Sequence, residues 1–331
     1  MSLITDRKQV LELYSEAAEN NWVLPTFNSE NLTSTEAILA ATKEYGEKTG
    51  RENLPIIIGI TVNYSFRSQA VLYSHARQWE LGLKLFMNDL KLLTGEGSPY
   101  AGIRAMVHLD HIEWDINQEF LSNWDMNQFS SIMYDASNVD LDENIIKTAS
   151  FVEKNKDIIL IEGACDEIGK SGTSYTTPEM AEKYNRETGV DILVANLGTE
   201  HRADAATLKY QDEIARKITQ QIGGKLCLHG TSSVLSDNLG ELFHDGIRKV
   251  NIWTALERDT SPKLFLDMLK NTSKVVGPKK AQDLVVAGLL GEKADYTSSL
   301  SVDFFTTTYR QQLIFESMKA VVSNYLSIWY K

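Results

Sequence analysis

Cysteine is scarce in this sequence. Cys165 and Cys227 are the only two cysteines in 331 residues, and they do not form a Cys-x-x-Cys pair. Two separated cysteines in a chain of this length argue against a disulfide framework. We expect both thiols to be small, buried hydrophobic groups.

Long apolar runs and an excess of positive charge are also missing. No stretch approaches the roughly 18 residues of a membrane span, and the N-terminus lacks the apolar core of a signal peptide. We therefore expect a cytoplasmic protein without a membrane partner. The 33 Lys and Arg against 45 Asp and Glu give a net charge of −12, which argues against a nucleic-acid partner. A small phosphorylated substrate is still compatible, if a metal, helix N-termini or a few basic side chains hold it.

The sequence does contain a regular alternation of short β-branched runs and longer amphipathic stretches. Eight such pairs can be counted, which is typical of βαβ units around a parallel sheet. The predicted strands cover residues 22–28, 54–61, 103–110, 131–135, 158–162, 191–197, 225–228 and 249–252. The predicted helices cover residues 34–45, 75–92, 143–153, 207–221, 237–245 and 261–269, with two more starting near 116 and 178.

Eight βα units in one chain favour closure into a barrel over an open sheet. A doubly wound sheet would also fit the alternation, but it usually has a glycine-rich dinucleotide turn after its first strand, and this chain has none. We predict an α/β protein with a (β/α)8 TIM barrel over residues 1–273. Residues 274–331 are predicted to form a C-terminal helical extension, packed on the barrel or on a partner subunit, with a helix at 310–329.

Unusual polar residues collect where the predicted strands end. In barrel enzymes the catalytic groups lie at the carboxyl ends of strands, so these side chains should converge on one mouth. They include four of the six histidines, whereas His75 and His244 lie in predicted helices and are expected to be solvated. The set consists of His108, Asp110, His111, Asp135, Ser137, Glu162, Asn196, His201, His229 and Asn251.

Three of these histidines suggest a metal site. Three neutral imidazoles with an open fourth position form the donor set of a catalytic zinc, and His111, His201 and His229 are the predicted ligands. Such a metal polarises a carbonyl, and a nearby carboxylate can act as the base. Asp110 is the candidate because it directly precedes His111. Adjacent residues in a strand point to opposite faces, so the two share a site only if the chain bends there.

Several motifs, in their order and spacing, resemble the class II fructose-bisphosphate aldolase family, also called ketose-bisphosphate aldolases. The likeness covers most of the predicted barrel. It implies reversible cleavage of a phosphorylated ketose, such as fructose 1,6-bisphosphate, to dihydroxyacetone phosphate and an aldehyde. The matching segments are PTFNSEN (25–31), HLDH (108–111), MYDAS (133–137), ENI (143–145), IEG (161–163), YTTPEMAEKYNRETGVDILVANLGTEH (175–201), LHG (228–230) and KVNIWT (249–254).

The resemblance also implies roles for the matched residues. Asp110 resembles the catalytic acid/base of the family, and His111, His201 and His229 resemble the ligands of one catalytic Zn²⁺, with a monovalent cation as a further cofactor. Asn251 resembles the residue that binds the dihydroxyacetone phosphate part. The family further implies a homodimer or a higher homo-oligomer. Substrate or phosphate contacts are implied for Asn28, Thr61, Gly198, Gly230, Ser232 and Thr254.

The chain departs from the family pattern around the substrate. HGTSS (229–233) stands where the family usually has HGGSG, and Ala164 replaces a carboxylate of many members, which argues against a second metal position. Trp253 stands where many members have Asp or Ala. Weaker site candidates are Asp135, Glu162, Glu167 as the proton donor, Arg202 as an anion contact and Arg310 as a ligand of the far phosphate.

Two other functions stay open at this point. The altered phosphate loop, and CDEIGKSGTS (165–174) in place of the usual acidic loop, would suit a metal-binding barrel that has lost catalysis and has a binding or regulatory role. A metal-dependent hydrolase barrel is the third alternative, but such barrels often carry a His-x-His pair on the first strand, which here is WVLPTFN. The aldolase is the leading interpretation.

Overall fold

The computed structural model describes residues 3–167, 175–200, 210–291 and 293–331. In these residues eight strands pair in parallel in chain order, and the first strand closes on the last to complete a barrel. The predicted (β/α)8 TIM fold is confirmed. The strands are β1 (Leu24–Asn28), β2 (Pro55–Ile60), β3 (Arg104–Glu113), β4 (Ser131–Asp135), β5 (Leu160–Ala164), β6 (Ile192–Val194), β7 (Leu226–Leu228) and β8 (Ile247–Ile252).

Helices connect the strands and cover the barrel, so that both faces of a strand such as β2 (PIIIGI) are buried. Short polar residues start several of them: the Asn31 side chain accepts from the Ser34 N–H at the second helix, and Thr177 caps the seventh ahead of Pro178. The helices are α1 (Arg7–Glu19), α2 (Leu32–Thr49), α3 (Gln69–Leu72), α4 (Trp79–Thr94), α5 (Gln118–Asn123), α6 (Leu141–Asn155), α7 (Pro178–Thr188), α8 (Asp212–Ile222), α9 (Ser236–Leu239), α10 (Thr254–Lys270), α11 (Thr272–Val276), α12 (Pro278–Val286), α13 (Val302–Phe305) and α14 (Thr307–Trp329).

The last barrel helix, α10, begins earlier than the sequence predicted. It starts at Thr254 rather than at Ser261 and carries Pro262 in its interior. The proline ring removes one backbone hydrogen bond there but does not end the helix. The earlier start matters because it places the N-terminus of a 17-residue helix directly at the end of β8.

The helix predicted at 237–245 is also different. Only the short helix α9 forms, and turns then lead to Gly246, whose φ of +95° suits a glycine. His244 lies in one of these turns. His75 also lies in a turn, because α4 begins only at Trp79. Both are exposed, as predicted for solvated histidines.

The C-terminal helix α14 packs against α2 and α10 through buried side chains that include Met318, Val322 and Leu326. At its end, the Tyr330 hydroxyl donates to the Pro55 carbonyl at 2.5 Å, next to the start of β2. The division into a barrel and an extension at residue 273 stays a prediction, and that boundary falls inside α11. Among the described residues, no helix is both long and apolar enough to cross a bilayer.

Candidate active site

A bend in β3 brings two neighbouring side chains to the same place. His111 has a φ of +46°, in the left-handed region that non-glycine residues rarely adopt. The pairing of β3 with β4 shifts register between Leu109 and Ile112. The alternation of the strand is broken at this point, so Asp110 and His111 both reach the mouth of the barrel. Strained backbone of this kind is concentrated at functional sites.

His111 lies against His229, which comes from the end of β7. The Nε2 atom of His111 is 3.1 Å from the Nδ1 atom of His229, and both rings are buried. The other nitrogen of His111, Nδ1, is 3.0 Å from the Asp135 carboxylate. A histidine that donates its Nδ1–H to a carboxylate keeps the Nε2 lone pair for a metal. Asp135 therefore orients the imidazole ring of His111.

The donor atoms present fit a divalent cation. Ligand atoms of Asp110, His111 and His229 all lie within 4.8 Å of one another. Glu162, Cys227 and His229 form a second group with the same spacing. Burial raises the pKa of the Cys227 thiol well above its ordinary value, so this sulfur is a poor thiolate donor. The first group is therefore the better candidate metal site.

The third predicted ligand, His201, and its neighbour Arg202 lie outside the described residues. The chain just before them is close to the site. The Thr199 hydroxyl donates to the His229 carbonyl at 2.7 Å. A Cβ added to Gly230 would meet the Glu200 backbone at 2.9 Å. The segment that follows β6 therefore runs alongside the segment that follows β7. Glu200 lies next to Gly230, which directly follows His229.

Two amides hold Asp110. Asn28 Nδ2 donates to Asp110 Oδ2 at 2.6 Å, and Asn251 Nδ2 donates to Oδ1 at 2.8 Å. Burial alone would raise the pKa of Asp110, but the imidazoles around it, His111 first, hold that pKa well below its usual value. Asp110 is accordingly a fixed carboxylate whose two oxygens are both oriented.

A buried lysine under the site was not predicted. Lys249 Nζ donates to Asn251 Oδ1 at 2.5 Å and lies 2.8 Å from a carboxylate oxygen of Glu162. Lys249 can only donate and Asp110 can only accept, so the Asn251 amide has one permitted orientation. Glu162, a weak candidate from the sequence, is thus an ion-pair partner inside the barrel. The sequence signal for this network was a charged residue within the strand motif KVNI.

His108 is the fourth histidine predicted at the rim, and it lies inside the barrel. Its Nδ1 is 2.8 Å from the Ser131 hydroxyl, and its Nε2 is 3.8 Å from both Asp110 and Glu162. Burial, followed by the charge of Lys249, lowers its pKa. His108 is therefore a neutral packing group beside Asp110.

Both cysteines are free and buried, as predicted.

Asp110 lines two cavities, and Asn28 and Trp253 also line both of them. The first cavity gathers five of the residues expected to contact substrate or phosphate: Asn28, Gly230, Ser232, Asn251 and Thr254. The second cavity is lined by His111 together with residues of the segment after β2: Thr61, Tyr64, Arg67 and Gln69.

The other predicted residues are spread more widely. Thr61 lies in the second cavity, and its hydroxyl donates to the Arg67 carbonyl at 2.6 Å. Gly198 has a φ of +80°, and its N–H donates to Asn196 at 3.1 Å. Arg310 donates to the Phe305 carbonyl on the outer helices. Neither Gly198, Arg310 nor Glu167 is among the described residues that line the two cavities.

A closed parallel barrel with an aspartate and two imidazoles at the carboxyl ends of its strands is the arrangement of a barrel enzyme acting on a small molecule. Comparison with known proteins defines it further. The profile of class II fructose-bisphosphate aldolases matches residues 8–313. The chain therefore belongs to the class II fructose-bisphosphate aldolase family, as the motifs predicted, and it is an aldolase, a carbon–carbon lyase.

Individual relatives agree with this assignment. The chain is 27% identical over 278 residues to fructose-bisphosphate aldolase of Staphylococcus aureus strain Mu50, covering 81% of this chain and 88% of that protein. It is 25% identical over 311 residues to the enzyme of Geobacillus stearothermophilus, covering 90% and 98%. Among solved structures, fructose-bisphosphate aldolase of Campylobacter jejuni gives a TM-score of 0.74 at 18% identity, covering 99% of this chain and 96% of that one. The YdjI aldolase of Escherichia coli gives 0.65 at 17% identity, covering 99% and 97%. The two structural likenesses support the fold.

Proposed function

We propose that this aldolase cleaves a phosphorylated ketose reversibly to dihydroxyacetone phosphate and an aldehyde, using a divalent ion of the zinc type. The observation that carries the proposal is the pair of facing nitrogens of His111 and His229 directly beside Asp110. His201 is the proposed third ligand. Fructose 1,6-bisphosphate is one member of the proposed substrate class.

Neighbouring side chains fix the orientation of His111, one of the proposed metal ligands. Asp135 fixes the ring of His111, and Tyr64 stacks on that ring with centroids 4.5 Å apart and planes 7° from parallel. When bound, the ion would act as a Lewis acid that polarises the ketose carbonyl and stabilises the enediolate left after cleavage. Retro-aldol cleavage needs such a group, and this one requires no Schiff base on the protein.

Asp110 is the proposed acid/base. In cleavage its carboxylate takes the proton of the hydroxyl next to the breaking carbon–carbon bond, and in condensation it returns that proton. Asn28 and Asn251 hold the two carboxylate oxygens so that one of them can face this hydroxyl. A carboxylate with its pKa below the usual range is ionised at neutral pH, which is the protonation state that a base requires.

The first cavity is the proposed site of the dihydroxyacetone phosphate half. Thr254 begins α10 there, and the side chain of the preceding residue, Trp253, does not cap the first turn of that helix. Free backbone N–H groups at a helix N-terminus attract a phosphate, and barrels often bind phosphate at their last strand–helix turns. Gly230 and Ser232 supply a further tight turn on the same cavity. Asn251 lines this cavity and donates to Asp110, so it can contact the carbon skeleton.

The proposal also includes the ligand, the assembly and the compartment. We infer a small phosphorylated sugar as the ligand, a homodimer or higher homo-oligomer as the assembly, and the cytoplasm as the compartment, in carbohydrate metabolism such as glycolysis. A monovalent cation would be an additional cofactor near the phosphate. Binding of nucleic acid does not fit the net charge of −12.

The decisive assay is a panel of ketose mono- and bisphosphates tested for release of triose phosphate, with and without a chelator. We expect release from at least one of them, its loss with the chelator and its return with Zn²⁺. The competing function, a barrel that has lost catalysis, predicts no release from any ketose. It also predicts no exchange of a carbon-bound proton of dihydroxyacetone phosphate in deuterium oxide.

A further inference from the structure

Two side chains that line the second cavity, Arg67 and Trp253, both bond to Glu30, and these three residues are here called the far wall. Arg67 donates to both oxygens of Glu30, through Nε at 2.7 Å and Nη2 at 2.6 Å. The Trp253 indole N–H donates to the same carboxylate at 2.8 Å. The Arg67 guanidinium also lies over the Trp253 ring, 5.3 Å from its centroid. Arg67 and Trp253 line the cavity together with Asp110 and His111.

The positive charge of the far wall is already offset, because Arg67 forms an ion pair with Glu30. Both donor sites that Arg67 turns toward Glu30 are occupied, and the Glu30 side chain is only 9% exposed. A second carboxylate, Glu257, lies near Glu30 and Arg67, and its Oε1 atom is buried without a hydrogen-bond partner among the described residues. Burial, and then the charge of Glu30, raise the pKa of Glu257 to about 7. One guanidinium therefore faces two acidic groups.

A phosphate dianion on this side would meet a guanidinium whose charge Glu30 already offsets, with a second acidic group, Glu257, nearby. Drawing Arg67 away from Glu30 would leave a buried carboxylate without its cation, which is the costly way to break an ion pair. An aldehyde that carries only hydroxyl groups leaves the pair intact and can bond to its outer edges. The first cavity, in contrast, offers backbone N–H groups at a helix N-terminus.

We propose that the far wall selects an unphosphorylated aldehyde, so that the substrate of this chain is a ketose with one phosphate, on its dihydroxyacetone half. This inference rests on the proposed function and narrows it. It assigns Glu30, Arg67 and Trp253 as specificity-determining residues. It also separates the substrate of this chain from the bisphosphate after which its relatives, the fructose-bisphosphate aldolases, are named.

The test uses the condensation direction. The wild-type protein is supplied with dihydroxyacetone phosphate and either glyceraldehyde or glyceraldehyde 3-phosphate, and kcat/KM is measured for each aldehyde. We expect glyceraldehyde to be favoured by at least about tenfold. A preference for glyceraldehyde 3-phosphate would overturn the inference while leaving the aldolase proposal intact. Condensation with neither aldehyde, together with no triose phosphate release from any ketose of the panel above, would overturn the proposed function and this inference with it.

Two variants test the physical cause. In Glu30→Gln the guanidinium is freed, so the ratio should move toward the phosphorylated aldehyde by about tenfold or more. In the double variant Glu30→Gln/Arg67→Met the wall is neutral, so the ratio should return toward that of the wild type. An unchanged ratio in Glu30→Gln would contradict the role of the pair.

A matched control is present at the other end of the barrel. Arg104, at the start of β3, makes two bonds of 2.6 Å to Glu16, as Arg67 does to Glu30. Glu16→Gln removes this second pair and should leave the aldehyde ratio unchanged. A shift of the same size in Glu16→Gln would show a general effect of losing an ion pair and would sink the assignment.

Discussion

Gly59 of β2 leaves the Asn28 side chain of β1 the room it needs to reach Asp110. The two residues are partners across the parallel pair of strands. A Cβ built on Gly59 would overlap the Oδ1 atom of Asn28. The absence of a side chain at Gly59 therefore lets the Asn28 amide hold the proposed acid/base, Asp110.

Gly59→Ala should therefore reduce catalysis by moving Asn28. We expect a fall in kcat/KM of about tenfold or more, because displaced groups in an active site cost of this order. Steady-state kinetics on the preferred ketose phosphate measure the effect. Gly240→Ala is the control, since that residue has ordinary helical angles and a Cβ there would meet only Lys331 Nζ at 3.8 Å. Equal activity in the two variants would contradict this role of Gly59.

Asp110→Ala should separate metal binding from turnover. The imidazoles stay in place, so bound metal should be retained, whereas kcat should fall by about 10² to 10⁴ because the acid/base is lost. Elemental analysis of the purified variant gives the metal content, and a turnover assay gives kcat. Turnover equal to the wild type would remove Asp110 from the mechanism.

The buried pair of Lys249 and Glu162 should be costly to break from one side. Lys249→Met leaves a fully buried carboxylate, and we expect a loss of about 3–5 kcal/mol in the free energy of unfolding. The double variant Lys249→Met/Glu162→Gln should recover much of that loss. Urea unfolding of the two single variants and the double variant gives the coupling free energy. Additive losses would show that the two charges do not depend on each other.

Glu257 should make stability fall as pH rises. Its folded-state pKa is about 7, against an ordinary value of 4.5, with Glu30 and Arg67 as the nearby charges. The folded chain then binds more protons than the unfolded chain between these values, so the free energy of unfolding decreases across that window. Glu257→Gln removes the effect and should stabilise the protein by up to about 3 kcal/mol at about pH 8, with little change at about pH 5. Urea titrations at the two pH values test this, and an equal gain at both would refute it.

The strands could be predicted because β-branched runs mark them, and the rim residues followed from the rule that barrel chemistry lies at strand ends. From the sequence, a shared site for Asp110 and His111 could be predicted only on the condition that the strand bends. Without a bend, the alternation of side chains along a strand would point the two residues to opposite faces. The φ of +46° that meets the condition has no sequence signal in a histidine.

The far wall and the buried lysine were not predictable for a different reason. Arg67 lies in the irregular segment after β2 and pairs with Glu30, 37 positions earlier in the chain. Local periodicity carries no information about such a contact, because closure of the barrel creates it. Lys249 was hidden because a charged residue within a strand is normally expected to face solvent. Its burial is explained by the ion pair with Glu162 and the hydrogen bond to Asn251.

The central claim, that His111 and His229 share one cation beside Asp110, is tested most directly by anomalous diffraction at the zinc edge from crystals of the zinc-loaded protein. The account predicts a single strong peak roughly 2.0–2.1 Å from Nε2 of His111 and from Nδ1 of His229. Zinc bound elsewhere at full occupancy, with no peak between these two nitrogens, would contradict it.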